Sequence, residues 1–295
     1  MRLSRPAVIA GLTLLAPIAR AVVDACDGFG PLSQPVSAGA ADALFQGTAR
    51  YQQLGTHVGN VGDINGDGYD DLAIGSPGDG SNGARAGLVS IWLSDGATLD
   101  PSGSPDVRLF GSGAGDNAGA WFGPAGDLND DGIDDIVVGS APTTSSAWPQ
   151  GVAWVVFGSH TLTTTYNLGT SAGVTLVGGN TGDEFGAAAT GVGDVNGDGY
   201  DDLAVGAPGA DPNGSASGAA FVFYGPLAGT RLAGTANRIH TGEAEGDRAG
   251  TSLLRLGDLD GGTSDYAIGA PLAGPGTASD GAVYVIVDGA GTGTL

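Results

Sequence analysis

Short runs in which apolar residues alternate with small or polar ones recur along this chain, each bounded by Gly or Pro: residues 87–93, 151–157, 218–224 and 281–287. Period-two alternation with that punctuation predicts β-strands with one face buried. A second set of short apolar runs ends in Gly at 44–47, 107–111, 174–178 and 238–242. Between the two sets lies a run that is apolar almost throughout, as at 72–77 and 203–208, and that ends in a Gly-x-Pro turn. In the second copy the turn is one residue longer, Gly139-Ser140-Ala141-Pro142. Such runs predict strands buried on both faces. Beyond the N-terminal segment no stretch carries apolar residues at helical spacing. The expectation is therefore an all-β chain made of one repeating unit.

Ahead of each buried strand stands a polar segment with its own repeat. An apolar-Gly pair (Leu54-Gly55, Ala118-Gly119, Phe185-Gly186, Ala249-Gly250) is followed nine residues later by an acidic loop starting at Asp63, Asp127, Asp194 or Asp258, so the loops begin 64, 67 and 64 residues apart. Three loops read D-x-N-x-D-G-x-x-D. That pattern puts oxygen side chains at positions 1, 3, 5 and 9, and a glycine at position 6 where the backbone turns sharply. Hard cations want such donors, since Ca²⁺ takes six to eight oxygens in irregular geometry. The expected ligands are the side chains of Asp63, Asn65, Asp67 and Asp71; of Asp127, Asn129, Asp131 and Asp135; and of Asp194, Asn196, Asp198 and Asp202. The position-7 carbonyls of Tyr69, Ile133 and Tyr200 complete the sets. About three Ca²⁺ sites are expected. An EF-hand is excluded, because position 12 is Ile74, Val138 or Val205 where that loop needs a Glu. Asp and Asn also form plain turns, yet three converging carboxylates repel one another without a cation. The fourth loop, Asp258-Leu259-Asp260-Gly261-Gly262-Thr263-Ser264-Asp265, is one residue short and lacks the position-5 acid, so weak or no metal is expected there.

Four strands per repeat look like blades of a β-propeller. Phe185-Gly186, the loop, and Gly206-Ala207-Pro208 together resemble the FG-GAP repeat of integrin alpha-subunit propellers, and the likeness covers nearly all of 44–288. It implies Ca²⁺ in hairpin loops between the first two strands of a blade, and adhesion or ligand binding at the opposite face. That family's ring usually has seven blades, and four repeats are present here. Three arrangements follow: a closed four-bladed ring in which the strand at 44–47 completes the last blade, a truncated seven-bladed ring, or two chains pairing into a larger ring.

Composition narrows the function. The chain has 295 residues with 57 Gly, 32 acidic and 10 basic residues, all of the latter Arg, and a net charge of -22. Duplex nucleic acid and anionic membrane surfaces would be repelled. Cys26 is the single cysteine, so no internal disulfide forms. Arg2 and Arg5, an apolar run over 7–18 and Ala19-Arg20-Ala21 read as a secretory signal over 1–21, too short to span a bilayer. Val23-Asp24-Ala25-Cys26 offers a lipoprotein variant of the same export reading. Residues 22–43 read as a linker and 44–295 as the propeller. The mature chain is expected at the cell surface or secreted, with no transmembrane helix, a protein or carbohydrate ligand, and self-association as a further option.

Catalytic signals are weak. His57, His160 and His240 fall at unrelated places in the repeat and pair with no acid at fixed spacing. Gly169-Thr170-Ser171-Ala172-Gly173 matches the hydrolase elbow, which needs a strand-to-helix turn in an α/β sheet, and Gly78-Asp79-Gly80-Ser81-Asn82-Gly83 matches a phosphate-loop pattern without a following helix. Trp92, Trp121, Trp148 and Trp154 either pack between blades or line a sugar- or peptide-binding surface. The expectation is a non-catalytic binding module; a hydrolase or lyase on the same scaffold and a structural surface component are the competing classes.

Overall fold

The computed structural model describes residues 43–96, 103–140, 148–274, 280–287 and 293–294. The signal, the linker with Cys26, and the Ala141-Pro142 turn lie outside the described residues. The blades form one compact unit, 46–99 and 104–295; the other unit, 1–45 and 100–103, is almost wholly outside them.

Four sheets make up the blades. The first joins β1 (Val58–Asn60), β2 (Leu72–Ser76), β3 (Leu88–Trp92) and β4 (Val107–Phe110). The second joins β5 (Trp121–Gly126), β6 (Asp135–Ser140), β7 (Val152–Val156) and β9 (Val174–Val177). In the third, β10 (Ala188–Gly193), β11 (Asp202–Ala207), β12 (Ala219–Phe223) and β14 (Arg238–Thr241) follow the same order. The fourth holds three strands, β15 (Ser252–Gly257), β16 (Asp265–Ala270) and β17 (Ala282–Ile286). All pairings named so far are antiparallel. A strand that opens one repeat therefore closes the sheet of the repeat before it, as β4 does on β3.

Three short strands escaped the sequence pattern. β8 (Thr165–Asn167), β13 (Gly229–Leu232) and β18 (Gly293–Thr294) add a fifth, parallel strand to the first three sheets. Each has at most four residues, too few to show a period. α1 (Leu168–Ser171) is a single helical turn capped by the Asn167 side chain. Ser171 is its exposed last residue rather than a residue at a strand-to-helix elbow.

The core lies between blades. One cluster packs Val89 and Ile91 of the first blade against Phe122, Val138 and Trp154 of the second. Another packs Ala153 and Val155 of the second against Phe185, Ala189 and Val205 of the third. A further one packs Ala220 and Val222 of the third against Leu253, Tyr266 and Ile268 of the fourth. Each of these joints repeats two backbone contacts. A glycine ahead of the closing strand bridges the next blade's apolar-Gly pair: Gly87 to Ala118, Gly151 to Phe185, Gly218 to Ala249. The turn glycines Gly75, Gly139 and Gly206 receive the carbonyls of Gly119, Gly186 and Gly250, where any side chain would collide with backbone. The small residue in the Gly-x-Pro turn is thus a packing requirement as well as a turn former.

Among the described residues no such cluster joins the fourth blade to the first, and the structure is a partial β-propeller. Among the described residues the closed four-bladed ring is accordingly not formed. Residues 44–47, expected to be the strand that completes the last blade, carry no strand, and Leu44 is 70% exposed. A four-residue run gains strand character only from a neighbour to pair with, and among the described residues β17 pairs with β16 alone.

Candidate metal centre

Each acidic loop links the first and second strands of a blade. In the second, third and fourth blades a β-bulge just before the loop shifts the register, at Pro124/Gly126, Gly191/Gly193 and Arg255/Gly257. Such a bulge bends the strand end and aims the loop away from the sheet. Position 6 of the three intact loops is a glycine at positive φ, from 82° to 94°, as the sharp turn requires.

The side chains at positions 1, 3 and 5 fold inward onto loop amides. Asp63 Oδ1 accepts from the Gly66 and Asp67 amides at 2.8 and 3.1 Å, and its Oδ2 from the Gly68 amide at 2.7 Å. Asn65 Oδ1 accepts from Asp67 N at 2.8 Å, and Asp67 Oδ1 from Tyr69 N at 3.0 Å. The second and third loops repeat this, with Gly132 N on Asp127 Oδ2 at 2.7 Å and Gly199 N on Asp194 Oδ2 at 2.8 Å. In each loop the Asn donates to the position-5 acid: Asn65 to Asp67, Asn129 to Asp131, Asn196 to Asp198, all within 3.1 Å.

Position 9 behaves differently. Asp71, Asp135 and Asp202 are buried, and each carboxylate takes two backbone amides. One amide comes from its own loop, Ile64, Leu128 or Val195. The other comes from just beyond the third strand, Ser94, Gly158 or Gly225. This acid therefore pins the loop to the closing strand. Burial pushes the Asp71 and Asp202 carboxyls up to about 6 and that of Asp135 to about 7, partly opposed by those amides and reinforced by the acids at positions 5 and 1. Three acids and an amide oxygen on one small loop fit a hard divalent cation, which would hold the buried acid ionised.

The fourth loop lacks the position-5 acid but keeps a compact form. Asp258 Oδ1 gathers the amides of Asp260, Gly261 and Gly262, and Asp265 Oδ2 accepts from Leu259 N at 2.7 Å. Among the described residues Asp258, Asp260 and Asp265 are the group whose three carboxylates come within 4.8 Å of one another. The loop expected to be the poorest is thus the one with its acids most tightly drawn together.

Position 8 of the three intact loops is a further acid, Asp70, Asp134 or Asp201, which can face solvent or a neighbouring blade. The structure gives the answer for two of the three. Asp134 Oδ2 accepts from Asp63 N at 3.0 Å, and Asp201 Oδ2 from Asp127 N at 3.2 Å, so each links its loop to the loop of the blade before. Burial raises the Asp201 carboxyl, opposed by Arg255 at 3.7 Å. At the next joint Ser264 stands in that place and its amide donates to Asp194 O at 2.9 Å. Asp70 pairs within its own blade, with Asn60 Nδ2 at 2.6 Å. A further set went unread: Asp116, Asp183 and Asp247 are buried and cap the turns at the other end of the first strands, with Gly113, Asn180 and Ala244 amides at 2.8 to 2.9 Å. The recurring Gly115-Asp116, Gly182-Asp183 and Gly246-Asp247 pairs were the available signal.

The remaining candidates pack. His57 lies against Trp121 and Phe122 with ring centroids 4.6 Å away, His160 Nδ1 meets Asn65 O at 2.9 Å, and His240 Nε2 meets the Tyr266 hydroxyl at 2.8 Å. Trp92 and Trp154 are buried in closing strands, Trp121 donates to Ala189 O at 3.0 Å, and Trp148 to Ser112 Oγ at 3.1 Å. No helix among the described residues is long and apolar enough to cross a membrane.

With this geometry in place the likeness to known proteins can be located on it. The family model described as FG-GAP repeat matches residues 55–92 and 185–223, the first and third blades through the closing strand. The chain carries FG-GAP repeats, and its blades are integrin-alpha-like. It is 30% identical over 234 residues to integrin alpha-PS2 of Drosophila melanogaster, covering 71% of this chain and 15% of that one. Integrin alpha-PS5 of the same organism is 35% identical over 170 residues, 53% of this chain and 16% of its own length. A phosphatidylinositol-glycan-specific phospholipase D of Dictyostelium discoideum is 32% identical over 181 residues, 55% of this chain and 19% of the relative. The FG-GAP chain therefore spans less than a fifth of each of these relatives.

Proposed function

We propose that this chain is an exported, calcium-binding β-propeller segment that acts as a non-catalytic adhesion or ligand-binding module. One observation carries the reading: three nine-residue loops each hold three acids, and the buried one is forced up to about 6 or 7 by desolvation and by its two acidic neighbours. A hard cation relieves that repulsion. Asp63, Asn65, Asp67 and Asp71 with the Tyr69 carbonyl would hold one ion; Asp127, Asn129, Asp131 and Asp135 with that of Ile133 a second; Asp194, Asn196, Asp198 and Asp202 with that of Tyr200 a third. The ion would supply charge neutralisation and stiffen the hairpin. Because Asp134 and Asp201 tie loop to loop, stiffness gained in one blade passes to the next.

Adhesion is drawn from the similarity to integrin alpha chains, and the ligand class from the rigid repeat surface: a protein or a carbohydrate held by loops at the end of the blades away from the cation loops. Export rests on the signal-like residues 1–21, with the propeller from 44 onward, and is tested by N-terminal sequencing of secreted protein: a start at residue 22 supports it, and an intact Met1 on cytoplasmic protein overturns it. The phospholipase D similarity motivates the competing reading, a hydrolase on this scaffold. Release of a glycosylphosphatidylinositol-anchored protein by the purified chain would establish that reading in place of ours.

The deciding experiment is a calorimetric Ca²⁺ titration with melting followed in calcium and in chelator. Three binding events and a stability gain of about 2.7 kcal/mol per site at a hundredfold excess over Kd are expected. Absence of heat and of any melting shift would reduce the loops to turns.

A further inference from the structure

Two interior joints, between the first and second blades and between the second and third, are built from the same parts and filled differently. In each, the chain leaving a blade's third strand adds a short parallel strand to the blade before and then turns back. At the first joint β8 pairs with β4 and leads into α1; at the second β13 pairs with β9 and leads into a 3-10 turn, Ala233–Thr235. One step past those registers Leu168 and Ala233 hold the same place, followed by Gly169 and Gly234. Across the sheets, Val152 and Trp154 of β7 correspond to Ala219 and Phe221 of β12.

The first joint is filled. Val152, Trp154 and Leu168 are fully buried, and Trp148 packs against the same cluster. The Trp148 indole N–H donates to Ser112 Oγ at 3.1 Å, and that hydroxyl donates to the buried Asp116 carboxylate at 2.5 Å. A Cβ on Gly169 would collide with Ser112. At the second joint these fillers are smaller or missing. Leu168 gives way to Ala233, Val152 to Ala219, Trp154 to the half-buried Phe221 and Ser112 to Gly179, and the turn at 208–217 brings no tryptophan. A Cβ on Gly234 would meet nothing within 4 Å. A groove of about 410 Å³ results, lined by half-buried Phe221 and Ile239 and by exposed Asn180 and Asp211. Its size is that of a small-ligand site, roughly 300 to 1,000 Å³. Asp183, the counterpart of Asp116, also lines it; it keeps contacts from Asn180 at 2.9 and 3.3 Å but has no hydroxyl in the place of Ser112.

We propose that this groove between the second and third blades takes a tryptophan side chain from a cationic segment of a partner protein. The indole supplies the volume that Trp148 and Leu168 supply at the first joint, lies against Phe221, and turns its N–H toward Asp183, the acceptor that Ser112 reaches in the filled version. An apolar ring with a single donor matches an apolar groove with an acid at its side. Exposed Asp211 and the net charge of -22 favour basic residues on either side of that tryptophan. The groove deepens the binding-module reading and rests on it, naming a protein as the ligand, but does not rest on the cation sites.

Calorimetric titration of the full chain with acetyl-Lys-Trp-Lys-amide tests it, in calcium and in chelator. One saturable site is expected in both, so loss of the calcium response and loss of peptide binding are separate results. Replacing the peptide's tryptophan by alanine should abolish the heat, and replacing its lysines by glutamate should weaken binding at least about tenfold. Ala233→Leu restores the side chain of the filled joint and should weaken binding at least about tenfold without lowering the melting temperature. Gly179→Ser restores only the hydroxyl, leaves the packing alone, and should weaken binding about threefold. Absence of heat with the tryptophan peptide overturns the proposal, as does equal binding by both variants or by the glutamate peptide. Saturable binding of cellobiose that Ala233→Leu blocks, with no heat from the peptide, would assign the groove to carbohydrate and overturn it too.

Discussion

Over their first three strands the third and fourth blades share register, turn and strand lengths; the fourth has no fourth strand among the described residues, and two further differences stand out. The third keeps its full acidic loop and has its outer face covered; the fourth has a shortened loop and an outer face open to solvent. Covered, the face carries Ala220 and Val222; open, it carries Val283 and Val285, which are at least as apolar. A strand selected only for solvent would show polar residues there. The comparison separates two roles that the repeat superimposes: a joint made of glycine contacts and apolar pairs, and a loop made of acids.

The largest break in this comparison is expected from glycine. Gly206→Val forces a side chain into the Gly250 carbonyl and should cost about 3 kcal/mol or more, up to loss of folded protein, in urea denaturation. Gly269→Val meets only the movable Ser252 hydroxyl and should change stability by about 1 kcal/mol at most. Equal costs would mean that the joint glycines serve their turn and not the neighbouring blade.

Next comes the buried loop acid. Asp202→Ala strips the acceptor from the Val195 and Gly225 amides and should cost about 2 to 3 kcal/mol even in chelator. If the loss is seen only when calcium is present, the pinning role assigned to position 9 is wrong. Asp198→Ala, by contrast, should leave stability in chelator nearly unchanged and remove most of the third site's calcium-dependent gain, about 2.7 kcal/mol at a hundredfold excess. Asp260→Ala should alter the calcium response little. A response as large as that of Asp198→Ala would show that the three crowded acids of the fourth loop are a working site.

The smallest effect concerns the joint between these blades. His240, on the third sheet, is buried against the Tyr266 hydroxyl of the fourth, and burial, helped by Arg238, lowers its pKa from 6.5 to about 4. A base held neutral in the fold contributes stability that is complete above pH 6.5 and is lost as the pH falls toward 4. The unaltered chain should lose about 2 kcal/mol relative to His240→Gln between pH 7 and pH 5. The subtraction matters because the buried loop acids run the other way: their raised values favour the fold at low pH in the absence of a cation. A flat difference between the two proteins would place His240 outside the joint.

The repeat, its strand order and the loops were legible in the sequence because they obey local rules. Period-two alternation, Gly-x-Pro punctuation and D-x-N-x-D-G-x-x-D are each set within a few residues, and the structure forms strands where 87–93, 151–157, 218–224 and 281–287 foretold them. What the sequence left open depends on distant partners. Whether 44–47 becomes a strand, whether the fourth blade meets the first, and where Asp134 and Asp201 send their carboxylates are decided by which backbone stands across a gap of one blade, 71 or 74 residues away in the chain for the two loop links. Strand pairing and side-chain linkage across such separations carry no local period. Only the folded arrangement of blades selects them, by bringing one donor and one acceptor within hydrogen-bonding distance and leaving the others in water.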